Sequence, residues 1–373
     1  MELAKRMEII EGEGLKSAAE TGLSMLSCLR IGEKALELYA AGLGGRVEGP
    51  ELHTVAGGVE FDNPVLFGAG WDKKGRCVRG LYDLGFGGGD VGTVLPFCQY
   101  GNDKPRLWTL DEAHSVGLNR LGFNSLGKER VKGYLDKFWP LPCPIGINVG
   151  KNKDLPNSYA PWAHANVIEY LYPYASYFVL GISSPNTANL RDLQGKEALR
   201  ENTQASFEAM DRAGARKPLW YKIDSERTPE QLEDMIEVAI EEKAAGFIAC
   251  NTYMGSDLKA KYGQRWGHEA GGLSGADPDY QERTTKVVRF IYEAAGDRLD
   301  VMGVGGVNSA ERALDKIMAG ASAVQVVTAI REQRGRTAAI INKGLKKYMR
   351  REGVGNVQEL IGADTRRGVR MAA

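Results

Sequence analysis

The residues best suited to chemistry sit where an apolar run breaks into polar residues. Tyr177-Phe178-Val179-Leu180 is followed by Gly181-Ile182-Ser183-Ser184-Pro185-Asn186-Thr187. A strand ending in hydroxyls and an amide can place a proton acceptor beside a group that both donates and accepts hydrogen bonds. The same residues also make an ordinary polar turn, because Ser, Pro and Asn are turn formers. Other apolar runs end in a similar way, which favours a site. Trp220-Tyr221-Lys222 reaches a cation, Gly146-Ile147-Asn148 an amide and Val91-Gly92-Thr93 a hydroxyl. Two late segments are rich in glycine: Met302-Gly303-Val304-Gly305-Gly306-Val307, and the run from Gly320 to Thr328. Glycine after a strand lets the backbone approach a phosphate, and a helix starting near Asn308-Ser309 adds N–H donors. Tight turns alone also use glycine.

These groups need elements to carry them. From about residue 60, short apolar runs alternate with amphipathic segments. Candidate strands are 65–69, 89–94, 145–149, 177–182, 219–223, 246–250, 301–304 and 323–327. Most are rich in Val, Ile or Phe and read as fully buried parallel strands. The clearest helix is 229–245, with Thr228 as N-cap and Gly246 as stop. Others are expected near 75–84, 163–172, 280–295 and 309–319. Alternating strand and helix implies a parallel sheet, and about eight strands imply a closed (β/α)8 TIM barrel. In such a barrel the loops after the strands carry function, and phosphate sits after the seventh and eighth strands. The polar ends found above lie at those positions. Lys222 could then face the pyrimidine edge of a flavin, or pair with Asp224 or Glu226. Asn148 and Thr93 could hydrogen-bond the same ring, or be satisfied core groups.

Residues 1–58 differ from the rest. Leu23, Leu26 and Leu29 share one helical face, as do Leu36, Tyr39 and Leu43. Two short amphipathic helices are expected there, forming either a cap on the barrel or a membrane-surface module. The barrel then occupies 59–373, with connections 95–140 and 251–298 long enough to cover its mouth.

Composition narrows the function classes. The 373 residues are 43% hydrophobic, with 48 Lys+Arg against 48 Asp+Glu. Zero net charge gives no support to nucleic-acid binding, which needs a basic stripe. Cys28, Cys77, Cys98, Cys143 and Cys250 are dispersed, with no CxxC pair. That suits a reducing compartment and argues against a disulfide framework or a zinc site. No apolar run approaches the roughly 20 residues of a membrane span. The expected location is the cytoplasm, with a peripheral seat on the inner face of a membrane if the N-terminal helices engage it.

Taken in order, the motifs resemble the dihydroorotate dehydrogenase family. They are Ala69-Gly70-Trp71-Asp72-Lys73, Val91-Gly92-Thr93, Gly101-Asn102-Asp103-Lys104-Pro105-Arg106 and Asn119-Arg120-Leu121-Gly122-Phe123-Asn124. Then come Ile147-Asn148-Val149-Gly150-Lys151-Asn152-Lys153, Ser183-Ser184-Pro185-Asn186-Thr187, Gly271-Gly272-Leu273-Ser274-Gly275 and Gly303-Val304-Gly305-Gly306. Serine before Pro185 resembles class 2, the quinone-linked, membrane-associated branch. The resemblance implies FMN-dependent oxidation of dihydroorotate to orotate in pyrimidine biosynthesis. It implies FMN contacts from Ala69, Gly70, Thr93, Asn148, Lys222, Gly275, Gly306 and Thr328. Substrate contacts would come from Lys73, Asn119, Asn186, Asn251 and Thr252, with the backbone of Leu121, Gly122 and Phe123 near the carboxylate. Ser184 would be the base that takes the C5 proton, while hydride leaves C6 for flavin N5.

Some positions depart from the family pattern. Gly181 stands where an Asn is usual, three residues before the serine. Cys250 replaces Thr before Asn251, and the proline usual after the strand-five lysine is missing. Val327 stands where class 2 has Tyr before Thr328, and Arg331 follows where quinone-site residues are expected. Gly181 suggests a lost amide or room for a larger substrate. The alternatives are a diverged FMN oxidoreductase acting on another pyrimidine-like or unsaturated acid, and a flavin-binding relative with little turnover.

Overall fold

The computed structural model describes residues 45–111, 115–184, 186, 189–333 and 335–366. The expected N-terminal helices, and Cys28 with them, lie outside the described residues. Eight parallel strands close into a barrel: β1 (Val65–Asp72), β2 (Gly88–Val94), β3 (Ile145–Val149), β4 (Tyr177–Leu180), β5 (Leu219–Ile223), β6 (Gly246–Ala249), β7 (Asp300–Val304) and β8 (Ala323–Val326). The ring closes where Val324, Gln325 and Val326 of β8 pair with Val65, Leu66 and Phe67 of β1. Every residue of β2 to β6 and of β8 is buried. Helices outside and side chains inside cover both faces, which is why these strands read as unbroken apolar runs.

Side chains alternate across each strand, and this stacks the barrel interior in layers. Leu66, Tyr177, Trp220, Ile248, Met302 and Ala323 form an apolar lower layer. Two residues further along β5 and β8, Lys222 and Gln325 lie one layer closer to the mouth. A hairpin, Thr54–Ala56 paired with Val59–Phe61, plugs the floor. Its Ala56, Val59 and Phe61 join the inner cluster. Gly57 in its turn has φ 56°, and a Cβ there would lie 2.5 Å from the Trp220 ring. Gly57 N also donates to Asp300 Oδ2 at 2.7 Å, which ties the plug to β7. The turn falls on the boundary expected at residue 58, and both hairpin strands belong to the barrel floor.

The helix after β5 runs Pro229–Glu241 and starts in a capping box between Thr228 and Gln231, as the N-cap residue implied. It stops short of Gly246. Lys243 takes φ 59° and turns the chain, while Gly246 packs against Asp300 O at the start of β6. The other expected helices are Val78–Asp83, Ala160–Leu171, Pro278–Ala295 and Ala310–Met318. Lys128–Phe138, Lys196–Ala213 and Thr337–Glu352 are additional. The two long connections do meet over the mouth, as an antiparallel sheet of Leu107–Asp111, Val116–Asn119 and Gly272–Gly275. Among the described residues Cys98, Cys143 and Cys250 are free thiols.

The floor plug is far from the polar strand ends. Phe61→Ala should therefore cost about 3–5 kcal/mol of stability, read from the denaturant midpoint, and leave cofactor affinity unchanged. A matching loss of affinity would show that the floor and the mouth are not independent.

Candidate active site

One cavity opens at the C-terminal end of the barrel, under the antiparallel sheet. It gathers the expected catalytic and substrate residues Ser184, Lys73, Asn119, Leu121, Gly122, Phe123, Asn186, Asn251 and Thr252. It also gathers Ala69, Gly70, Thr93, Asn148, Lys222, Gly275, Gly306 and Thr328. None of the expected site residues lies elsewhere.

Ser184 follows β4 and is buried. Its Oγ accepts from Asn186 N at 3.3 Å, and Asn186 Nδ2 lies 3.5 Å from Asn119 Oδ1. Asn251, just past β6, donates from Nδ2 to Ser183 Oγ at 3.0 Å and accepts from Thr252 N at 2.8 Å. Three amide side chains, one from the cover strand Val116–Asn119 and two from the loops after β4 and β6, thus face one space. No histidine or carboxylate hydrogen-bonds Ser184 among the described residues. A serine base of this kind relies on exclusion of water and on a proton path.

Lys73 supplies the charge at this end. The turn that carries it is held by Asp72, whose carboxylate accepts from the backbone N–H of Lys74, Gly75, Arg76 and Cys77. Lys73 is buried and has no ion-pair partner among the described residues. Burial, with Arg106 close by, lowers its pKa to about 8. Arg106 is itself held by the carbonyls of Tyr100 and Asn102, both at 2.8 Å. A cation without a counter-ion, facing a cavity, is arranged for an anion. The backbone at Leu121–Phe123 adds to this. Asn102 N donates to Leu121 O at 3.1 Å, and Gln99 Nε2 donates to Gly122 O and Phe123 O at 3.1 Å each. In a trans peptide the N–H points away from the carbonyl. Holding these carbonyls from behind turns the N–H groups of Gly122, Phe123 and Asn124 the other way.

The opposite side has the character of a ring-binding wall. Thr93 Oγ1 donates to Asn148 Oδ1 at 2.6 Å, which fixes the amide and leaves Asn148 Nδ2 buried with no partner. Gly181 lies against this pair. A Cβ there would meet Asn148 Oδ1 at 2.7 Å and Val149 O at 2.8 Å. The space expected from Gly181 is therefore filled by Asn148 and does not widen the cavity. Lys222 does not pair with Asp224 or Glu226. Its Nζ donates to Gln325 Oε1 at 3.1 Å inside the barrel. Burial lowers its pKa, opposed by attraction to Asp90. Asp90 accepts from Tyr177 OH at 2.8 Å, and burial pushes its carboxyl up. Asp224 instead receives Gln194, Arg227 and Glu226 N, outside the barrel interior.

A bound FMN is compatible with these residues. The orphaned Asn148 Nδ2 needs an acceptor, and Lys222 has protons beyond the one given to Gln325. Gly70 has φ 104°, and a Cβ there would project into open cavity. At the far end Gly275, Gly306 and Thr328 come together, with Thr328 Oγ1 donating to Ser274 Oγ at 3.1 Å. Gln325, Ser274 and Tyr280 line the cavity but escaped the sequence reading. Gln325 left a signal, as the one polar residue in the buried strand Ala323-Val324-Gln325-Val326.

Comparisons with known proteins bear on the family and the fold. The sequence profile of the dihydroorotate dehydrogenase family matches residues 51–349. A protein of Anaeromyxobacter dehalogenans named dihydroorotate dehydrogenase (quinone) is 40% identical over 326 residues, 87% of this chain and 88% of that relative. One of the same name from Cereibacter sphaeroides is 38% identical over 353 residues, 93% and 97% of the two chains. The crystal structure of DHODH from Eimeria tenella in complex with ferulenol superposes with a TM-score of 0.80 at 31% identity, covering 90% of this chain and 94% of that one.

Gly181→Ala should push the Asn148 amide aside. Loss of one buried hydrogen bond, about 1–3 kcal/mol, predicts weaker flavin affinity in a fluorescence titration of the apoprotein. Unchanged affinity would show that the strand ends can spread to admit a methyl group.

Proposed function

The chain belongs to the dihydroorotate dehydrogenase family, and from that premise we propose that it oxidises dihydroorotate to orotate with FMN, through the residues gathered in the barrel mouth. Members of the family are FMN-dependent oxidoreductases. The observation that carries the assignment of residues is the unpaired, buried Lys73 in the same cavity as Ser184. A bound FMN would supply the acceptor for the hydride leaving C6 of the substrate and the means to pass the electron pair on. This chain's own residues do the rest.

Lys73 and the inward N–H groups of Gly122 and Phe123 hold the substrate carboxylate. Asn119, Asn186 and Asn251 match the ring amides, whose edges both donate and accept. Ser184 Oγ takes the proton from C5 as its own hydroxyl proton leaves along a path to solvent. Its burial keeps bulk water from the site, and the Asn186 N–H steadies the oxygen as the proton moves. Asn148 Nδ2 and Lys222 Nζ orient the flavin ring from the barrel side. Lys222 favours negative charge on the reduced ring.

Quinone as the electron acceptor is supported by the relatives that carry it in their names. Val327 and Arg331 border the cavity where class 2 residues were expected. The Arg331 guanidinium is tied to Glu332 and to Thr109 Oγ1, the latter at 3.2 Å. A cation paired in this way is less of an obstacle to an apolar acceptor than a free one. Among the described residues no helix is long and apolar enough to cross a membrane. The N-terminal helices expected within residues 1–58, as a cap or a membrane-surface module, lie outside the described residues, and peripheral membrane contact through them belongs to this proposal. The filled space beside Gly181 removes the main reason to favour a larger substrate.

Anaerobic mixing of the flavin-loaded protein with dihydroorotate should bleach the oxidised flavin band rapidly. A band that persists would sink the substrate assignment. Ser184→Ala should slow bleaching by about 100-fold or more, within the range of general-base contributions, and keep FMN bound. Undiminished bleaching would remove Ser184 as the base. Substrate affinity should be strongest below pH about 8 and weaken as pH rises through the Lys73 value, because only the cation holds a carboxylate. Lys73→Met should abolish that pH dependence, and a dependence that survives would place the titrating group elsewhere.

A further inference from the structure

The glycine turn after β7 is braced from behind by a polar set that the reaction does not use. Gly305 and Gly306 have φ of 104° and 71° and line the cavity with Val307. Helix Pro278–Ala295 stands behind them. Gln281 Nε2 donates to Gly306 O at 2.7 Å, while Thr284 Oγ1 packs 3.4 Å from Gly305 O and has nearer acceptors in Tyr280 O and Gln281 O, both at 3.0 Å. With the carbonyls drawn toward the helix, the N–H groups of Gly306 and Val307 point away from it, toward the cavity. The fit is close. A Cβ on Gly305 would lie 2.7 Å from Thr284 Cγ2, and one on Gly306 2.2 Å from Gln281 Cγ.

Lys316 lies behind the same turn, on helix Ala310–Met318, and is 1% exposed. Its Nζ donates to Thr284 Oγ1 at 2.8 Å and to Thr285 Oγ1 at 3.3 Å. Its stem runs along Gly303, where a Cβ would meet Lys316 Cδ at 2.9 Å. No carboxylate forms an ion pair with it among the described residues. Its neighbour Asp315 is held by Arg312 at 2.8 Å. A buried cation without a counter-ion is costly to the folded chain. An anion bound in front of the loop would supply a balancing negative charge.

We propose that Gln281, Thr284 and Lys316 form the back wall of a phosphate site, with Gln281 aiming the loop's N–H groups, Thr284 packing behind Gly305 and holding Lys316, and Lys316 supplying charge through the loop. The inference rests on the FMN reading and assigns these three residues to the phosphate monoester, not to the ring. They are positioning residues and touch neither substrate nor reacting atoms. Burial lowers the Lys316 pKa to about 8, so it is charged at neutral pH.

The test uses two ligands that differ only in the phosphate. The full-length apoprotein is titrated with FMN and with riboflavin, as wild type, Lys316→Met and Gln281→Ala. Both variants should weaken FMN by about tenfold or more and leave riboflavin unchanged. Apo Lys316→Met should melt no lower than the wild type, because a buried unpaired charge has been replaced by an apolar side chain of similar length. Equal weakening of both ligands, a lower apo melting temperature, or failure to fold would assign Lys316 to the core and overturn the proposal. Unchanged FMN affinity would overturn it as well. Wild type that binds neither flavin would instead bring down the FMN reading on which the proposal stands.

Discussion

Closure of the eight-stranded ring is the constraint on which the site depends. Once β8 pairs with β1, strand alternation decides which side chains face inward and at what height. Trp220 and Tyr177 fall in the floor layer with the hairpin plug. Lys222, Gln325 and Asp90 are polar residues inside the same ring. They are tolerated because Lys222 meets Gln325, Asp90 meets Tyr177, and the two charges attract each other. An apolar floor beneath a polar ceiling gives a flat ligand a platform with donors at its edge. Each donor needs only the correct parity along its strand.

Above the ring, the protein uses backbone as well as side chains. At Leu121–Phe123 and again at Gly305–Gly306, carbonyls are held on the outer side by amide side chains, Gln99 in one case and Gln281 in the other. The N–H groups opposite them are then fixed toward the cavity without a flexible chain to order. Two anionic ends of two different ligands can be met by the same local device. The cations that accompany it, Lys73 and Lys316, are both buried and both lack a carboxylate partner among the described residues. Placing neutral donors in front and charge alongside or behind limits how much desolvated charge either ligand must meet directly.

Most of the barrel was legible in the sequence because its strands are short, apolar and glycine-bounded, and parallel sheets demand that pattern. The strand positions agree with expectation to within three residues at every end, and 145–149 and 219–223 agree at both ends. Helices were harder. Lys196–Ala213 buries Asn202, Thr203 and Ser206 on its inner face, so its apolar periodicity is broken. Thr337–Glu352 buries Thr337 and Asn342 in the same way. The antiparallel cover was legible only as two long connections over the mouth, because Val116–Asn119 pairs with Gly272–Gly275 across more than 150 residues and with Leu107–Asp111 in a short hairpin. Within the site, residue types and motif order located the cavity lining. They did not reveal that Asn148 occupies the space beside Gly181, that Lys222 turns from Asp224 to Gln325, or that Gln99 and Gln281 orient backbone they never share a motif with. Those are facts of packing, and one-dimensional spacing carries no trace of them.

The pairing of β8 with β1 also sets a schedule. Lys73 and Gly70 stand near the start of the barrel, whereas Gly306 and Thr328 come almost at its end. During synthesis the first half of the cavity is made long before the second. Until Ala323–Val326 has emerged and docked on Val65–Phe67, there is no closed ring and no wall behind a ligand's phosphate. Long-range parallel pairing of this kind is slow and is completed late. The nascent chain therefore cannot acquire its cofactor piecemeal, and loading belongs to a polypeptide that is nearly finished.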